Sequence, residues 1–247
     1  MSELYDEIGR TYTRTRAADP HIAAAIEAAL GDARTVLNVG AGAGAYEPRD
    51  RLVLAVEPSP TMIAQRPPEA AAVMRAYAEA LPFVDRAFAA SMAVLSDHHW
   101  KDRARGLREL RRTAIRTVVF TWDRVRTLDS WLVRDYLGEF TERAAKGMTI
   151  EELAAALGGA RIVPVPIPHD CRDGFLHAYW RRPEAYLDAR VRAGISVFAA
   201  LAEPRLTEAL RRLESDLASG AWRARNSAIL DLEALDLGYR LLIADAG

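Results

Sequence analysis

The stretch Val36 to Gly44, Val-Leu-Asn-Val-Gly-Ala-Gly-Ala-Gly, constrains this chain more than any other. A β-branched run, Thr35 to Val39, drops directly into glycines, and a second apolar run, Leu52 to Val56, ends on the acid Glu57. Short apolar runs bounded by glycine read as buried strands of an α/β sheet. Glycine accepts positive φ and lets a ligand approach the backbone with no Cβ in the way. An acid at the tip of the next strand can accept hydrogen bonds from both hydroxyls of a ribose. Together these residues describe a cradle for a cofactor that contains adenosine.

The spacing alone does not choose the cofactor. Gly40, Gly42 and Ala45 also satisfy the dinucleotide fingerprint G-x-G-x-x-G/A, which points to a nicotinamide or flavin enzyme. A short-chain dehydrogenase would add a Tyr-x-x-x-Lys pair. The only lysines are Lys101 and Lys146, and the residues four before them are Asp97 and Glu142.

Up to about Asp123, strand-like runs alternate with amphipathic helical stretches, the α/β signature. The pattern predicts a helix over His21–Leu30 stopped by Gly31, strands at Thr35–Val39 and Leu52–Val56, and a helix capped by Ser59 with Pro60 in its first turn. Ala71–Ala76, Ala87–Leu95 and Ile115–Trp122 read as further strands, with a helix over Lys101–Ala114 before the last of them. That helix carries Arg105, Arg108 and Arg112 opposite its apolar stripe, the pattern of a solvated face.

Beyond Asp123, Leu128, Trp131, Leu132, Tyr136 and Phe140 mark one amphipathic helix. Thr149 and Glu152 form a capping-box pattern for another, closed by Gly158-Gly159. A strand over Arg161–Ile167 follows, then an aromatic-rich helical insertion from Pro168 to about Asp236, and a final strand over Leu237–Ile243.

Half of the 247 residues are apolar, enough to bury a sizeable core. A net charge of -1 supplies no field toward nucleic acid or an anionic membrane. The single cysteine, Cys171, excludes an internal disulfide and fits a reducing compartment. No apolar run approaches the roughly 20 residues that span a bilayer, and the first residues carry no apolar signal core. The expectation is a soluble cytoplasmic protein that acts on a small molecule, with neither nucleic acid nor membrane as partner and an undetermined oligomeric state.

Several further pieces occur in order: Tyr5-Asp6 through Tyr12, Ala55-Val56-Glu57-Pro58-Ser59, Ala78-Glu79-Ala80-Leu81-Pro82-Phe83, His98-His99-Trp100, and Gly106-Leu107-Arg108-Glu109-Leu110-Arg111-Arg112. With the loop Asn38 to Gly44, they make the chain resemble the class I S-adenosylmethionine-dependent methyltransferases, in the bacterial small-molecule group related to the ubiquinone/menaquinone enzymes. The resemblance covers about Leu4 to Asp123, and the closing strand pair extends it.

The resemblance implies a Rossmann-like seven-stranded sheet with helices on both faces, plus the helical insertion between the last two strands. One domain spans residues 1–247: a lid and first helix over 1–30, a cofactor core over 31–123, helices and the substrate-pocket insertion over 124–236, and a closing strand over 237–247. It implies that Asn38, Gly40, Ala41 and Gly42 lie against the methionyl part of S-adenosylmethionine. Glu57 would hold the ribose, Pro58 and Met62 flank adenine, and Ala78 and Glu79 meet its edge. Tyr12 and Arg16 resemble lid elements, with Arg16 suited to the cofactor carboxylate. Three positions depart from the family pattern: Asn38 stands where Asp is usual, Tyr77 where an Asp often reads adenine, and Ala89 where Asp follows the Phe of the fourth strand.

Methyl transfer is an in-line displacement that needs mainly alignment. Aromatic rings suit a sulfonium that loses its charge in the step, which makes Tyr5, Tyr12 and Trp100 candidates. His99 is the preferred base, or else a substrate-positioning or capping residue. His98 would face away from it if the fourth strand continued. Phe175, Tyr179, Trp180 and Tyr186 in the insertion suggest an aromatic or apolar pocket wall. The cluster His169-Asp170-Cys171-Arg172-Asp173 with His177 matches no standard zinc spacing and reads as a polar loop at the pocket rim. Two other readings stay open: a cofactor-binding protein of the same fold that serves as a cyclase or partner subunit, and an NAD(P)-dependent oxidoreductase.

Overall fold

The computed structural model describes residues 16–138 and 147–245. Its centre is a seven-stranded sheet built on β1 (Thr35–Val39), β2 (Leu52–Val56), β3 (Ala72–Met74), β4 (Phe88–Val94), β5 (Ala114–Trp122), β6 (Arg161–Pro164) and β9 (Tyr239–Asp245). The strand order is β3-β2-β1-β4-β5-β9-β6. All strands run parallel except β9, which is antiparallel to both β5 and β6. A two-residue pairing, β7 (Ile167–Pro168) with β8 (Ala234–Leu235), forms a separate ribbon.

This topology sets the place of the site. The strand order reverses at β1, whose neighbours are β2 on one side and β4 on the other. The connections leaving β1 and β4 therefore diverge and open a crevice at their carboxyl ends. The glycine loop and the segment Leu95–Lys101 are the two connections that border it.

Local chemistry fixes the helices that cover the sheet. Helix α1 (Pro20–Leu30) starts because the Asp19 carboxylate accepts from the His21 and Ile22 amides, and it ends at Gly31 with φ of 58°. Its buried face, Ile22, Ile26, Ala29 and Leu30, joins the core on one side of the sheet with Phe120, Leu241 and Ile243. Helix α2 (Pro60–Ala64) is capped by the Ser59 hydroxyl. Helix α3 (Arg103–Thr113) buries Leu107 and Leu110 in a second core on the opposite face, with Val39, Val119 and Leu242. Of the three arginines expected on its polar face, Arg105 and Arg108 are exposed, while Arg112 forks onto Glu109 and Asp85.

Among the departures from the sequence pattern, four have a local physical reason. The single helix expected from Leu128 is two short ones, α4 (Arg124–Leu128) and α5 (Trp131–Tyr136). Ser130 between them is extended, and its hydroxyl is held 2.8 Å from His177 Nε2; Phe140 lies outside the described residues. The strand expected over Arg161–Ile167 breaks after Pro164, which has no N–H for the ladder. The last strand begins at Tyr239 rather than Leu237, because Gly238 turns the chain at φ of 88°. The fourth strand stops at Val94 and Leu95 takes φ of 48°, so Asp97–His99 form a 3₁₀ turn instead of extending it.

Helix α6 (Ile150–Ala156) carries the full Thr149/Glu152 capping box. In the insertion, α7 (Ala189–Ala193), α8 (Ser196–Ala199), α9 (Glu203–Ala218) and α10 (Ala221–Arg225) enclose a third core around Trp131, Tyr186, Leu213 and Trp222. Among the described residues no helix is long and apolar enough to cross a membrane.

Candidate functional site

The loop after β1 is folded back onto β2: the Gly40 and Ala41 amides donate to the Val56 carbonyl at 2.8 and 3.1 Å. Gly40 sits at φ of +69°, and a Cβ there would lie 2.6 Å from the Ser96 side chain, whose hydroxyl donates to the Val39 carbonyl. Gly42 sits at φ of +53°, with Met62 Cε 3.3 Å from where its Cβ would be. The glycines are thus required by two close neighbours as well as by backbone geometry.

Glu57 closes the other side. One carboxylate oxygen accepts from the Gly42 amide at 2.8 Å and the other from the Ser59 amide at 2.9 Å. Burial raises its pKa, opposed by these two amides and by the charge of Arg66. A carboxylate offers about four lone-pair directions, so two backbone donors leave it able to accept ribose hydroxyls. A carboxylate anchored at the tip of β2 beside a loop of only glycine and alanine fits an adenosine-bearing ligand.

Behind the loop lies a support that no sequence motif announces. Arg66 and Glu47 form an ion pair with side chains 5% and 6% exposed. Arg66 also donates to the Gly42 and Ala71 carbonyls, and Glu47 accepts from the Ala71 amide and from the Asn38 side-chain amide at 3.2 Å. Removing one partner of such a pair strands a buried charge at a cost of about 3–5 kcal/mol. The pair ties β1, the glycine loop and the chain entering β3 into one unit.

The segment after β4 supplies the opposite wall. The Trp100 indole lies so close to α3 that a Cβ on Gly106 would sit 2.4 Å from it. Glu79, after β3, accepts from the Lys101 and Asp102 amides at 2.7 and 3.2 Å, which joins the expected adenine side to this wall. Beneath it, Asp97 is fully buried and paired with Arg103 and the Thr121 hydroxyl. Burial works against its charge, but Arg103 and His98 hold the Asp97 carboxyl well below the usual carboxylate range. Burial, followed by the neighbouring His98, pushes the His99 imidazole well below its ordinary pKa. Because the chain turns here, His98 does not face away: the two imidazole centroids are 3.8 Å apart.

One cavity gathers most of the expected residues. Asn38, Gly40, Ala41, Gly42 and Glu57 border it, as do Pro58, Met62, Ala78 and Glu79. Arg16, His99 and Trp100 line it too, together with Tyr46, Tyr77, Leu95 and Ser96, of which only Tyr77 was singled out by its sequence position. Arg16 is not held ready for a ligand carboxylate alone: its Nε and Nη2 engage both oxygens of Asp173, the Nη2 contact at 3.1 Å. Tyr5 and Tyr12 lie outside the described residues.

The aromatic residues of the insertion do not form a wall of this cavity. Phe175 is buried against Tyr239 with centroids 4.7 Å apart, and the Trp180 indole donates to the Ile167 and Pro168 carbonyls. Tyr179 is half-buried beneath Arg182. They have filled the core next to the sheet, where burial of large rings gains more than exposure in a cleft. The polar cluster is likewise dispersed: Cys171 and His177 are buried, and only Asp173 reaches the cavity's border, through Arg16 and Tyr46.

The methyltransferase-domain family matches residues 37–120 of the chain. Over 93% of this chain and 98% of the other, the fold and sequence are similar to a protein of Anabaena variabilis assigned as a methyltransferase of an antibiotic biosynthesis pathway, with 31% identity and a TM-score of 0.86. The fold is also similar to geranyl diphosphate C-methyltransferase of Streptomyces coelicolor, crystallised with S-adenosyl-L-homocysteine (16% identity, 92% and 75% of the chains, TM-score 0.51). It is similar as well to phosphoethanolamine N-methyltransferase 2 of Haemonchus contortus (13% identity, 94% and 53% of the chains, TM-score 0.53). No protein of curated function matches the chain by sequence.

Proposed function

The chain belongs to the class I S-adenosylmethionine-dependent methyltransferases, and from that premise we propose that it methylates an oxygen, nitrogen or carbon of a small specialised metabolite with an apolar or aromatic part. The observation that carries the reading is the anchored carboxylate of Glu57 beside a loop of glycines and alanines, which leaves nothing larger than a methyl between backbone and ligand. Apolar character at the acceptor end is supported by Trp100 and Leu95 on the cavity wall, not by the insertion. The origin of the Anabaena relative in an antibiotic pathway is consistent with specialised metabolism.

S-adenosylmethionine, when bound, supplies an electrophilic methyl group on a sulfonium. In this reading Glu57 accepts the ribose hydroxyls, Pro58 and Met62 enclose adenine, and Ala78 and Glu79 meet its edge. Asn38 and the backbone around Gly40, Ala41 and Gly42 border the amino-acid end, and Arg16 meets its carboxylate. Anchoring both ends fixes the direction of attack, which is where most of the rate comes from in such displacements. Trp100 excludes water and offers a ring face rather than a carboxylate, so the leaving positive charge is not over-stabilised. His99, neutral at pH 7, takes a proton from an acceptor hydroxyl or amine in this reading, as a weaker base than a free imidazole because burial disfavours its protonated form. In this organisation residues 31–123 hold most of the cofactor, Arg16 before them meets its amino-acid end, and the other flanking segments complete the acceptor side.

Thermal unfolding with S-adenosylmethionine, S-adenosylhomocysteine and NADH tests the reading. The two sulfur compounds are expected to raise Tm, by about 2.7 kcal/mol of stabilisation at 100 times Kd, and NADH is not. Stabilisation by NADH alone would overturn it. His99→Ala is expected to lower turnover about 100-fold or more while cofactor affinity stays near wild type; unchanged turnover removes His99 as the base.

A further inference from the structure

The insertion touches the residues of the cavity wall through an acid rather than through its aromatic rings. Asp173, its side chain 1% exposed, engages both Nε and Nη2 of Arg16, a residue 157 positions away. Its Oδ2 also accepts the Tyr46 hydroxyl at 2.9 Å, and Tyr46 in turn accepts from the Asp19 amide. The adjacent Arg172 amide donates to the Asp19 carboxylate at 3.0 Å. Arg16 and Tyr46 both line the cavity; Asp173 stands behind them. Segments distant in sequence thus meet at one carboxylate behind the part of the cavity wall that Arg16 and Tyr46 form.

Resting on the cofactor site described above, we propose that Asp173 is a positioning residue for the amino-acid end of the cofactor: it fixes the guanidinium of Arg16 at the cavity wall, where Arg16 meets the ligand carboxylate. A guanidinium has five N–H donors in a planar fork, so one arginine can serve two carboxylates at once. An unanchored arginine would lose much side-chain entropy on meeting a ligand. Held by Asp173, it has lost that entropy before the ligand arrives. The order Asp173, Arg16, ligand carboxylate, ligand ammonium is an alternating series of charges, which suits a zwitterion. Asn38, a neutral amide, supplies no charge at this end, and its Nδ2 donates to Glu47. The insertion is therefore part of the cofactor site, not only a cover for the acceptor.

Calorimetric titration of the full chain with two probes separates this role from a structural one. S-adenosylhomocysteine carries the amino-acid carboxylate; 5′-methylthioadenosine shares the adenosine and thioether but lacks it. Asp173→Asn is expected to weaken S-adenosylhomocysteine about tenfold, the scale of one charge-assisted hydrogen bond, and 5′-methylthioadenosine by less than about twofold, within ordinary surface variation. Asp173→Glu is expected to restore most of the loss. In an Arg16→Ala background, Asp173→Asn is expected to add nothing further, because the two act through one contact. Should Asp173→Asn fail to fold, Arg16→Lys, which keeps the charge and breaks the fork, is expected to give the same split between the probes. Unchanged or tighter S-adenosylhomocysteine binding in Asp173→Asn, or equal weakening of both probes, overturns the proposal. A wild-type chain that binds neither probe instead overturns the cofactor site itself, and the proposal with it.

Discussion

The glycine-loop region, residues 35–80, and the insertion, residues 168–236, use their distinctive residues in opposite ways. The loop region spends small residues and buried charges on keeping a space open: glycines at positive φ, Glu57 held by two amides, and Arg66 and Glu47 bracing the turn. The insertion spends large rings on closing space. Trp131 from the neighbouring helix meets Tyr136, Tyr186 and Trp222 edge-on within 6.0 Å, and its indole donates to the Trp180 carbonyl. Rings that satisfy one another in this way leave no face for a ligand, whereas a carboxylate tethered by backbone amides still has lone pairs to offer. Richness in aromatic residues is thus a poor guide to a binding wall, and a costly backbone shape is a better one.

The comparison breaks if a core change in the insertion disturbs the cofactor site. Trp131→Ala is expected to cost about 3–5 kcal/mol of stability by urea unfolding, with S-adenosylhomocysteine affinity of the folded protein unchanged; a large affinity loss would mean that the two regions are one energetic unit. Glu57→Ala is expected to do the reverse. Two hydrogen bonds to a charged group vanish, so affinity falls about 100-fold by calorimetry, while unfolding shifts by far less than in Trp131→Ala.

A smaller effect concerns protons. Burial pushes His177, locked between Ser130 and Tyr239, down to a pKa of about 3. The unfolded chain then binds a proton near pH 6.5 that the folded chain refuses. Stability is full above that pH and falls as pH drops toward 3, by about 1.4 kcal/mol per pH unit for this one group. His177→Gln is expected to flatten the fall in urea midpoint between pH 7 and pH 5. An unaltered slope would sever His177 from the acid sensitivity.

What was legible in the sequence was local. Thr35–Val39 with its glycines, Ser59 as a cap, and Thr149 with Glu152 each carry their physics within a few residues. The expected cofactor residues Asn38, Gly42, Glu57, Met62 and Glu79 came from one such run and two short neighbours, and they do share a cavity. Arg66 with Glu47, and Arg16 with Asp173, are pairs formed by folding across 19 and 157 positions, and no periodicity encodes them. Phe175 and Trp180, expected on a pocket wall, lie buried in the core and outside the cavity lining; apolar content looks the same in a sequence whether it faces a ligand or another ring. His98 was misplaced because Leu95 turns the chain where an apolar run suggested more strand.

The most direct test is the distance from the Glu57 carboxylate to the ribose hydroxyls in crystals of the chain with S-adenosylhomocysteine. An O–H···O contact of about 2.5–3.0 Å, with adenine beside Met62, is expected; a ribose bound out of reach of Glu57, or a ligand seated elsewhere on the molecule, would contradict the account.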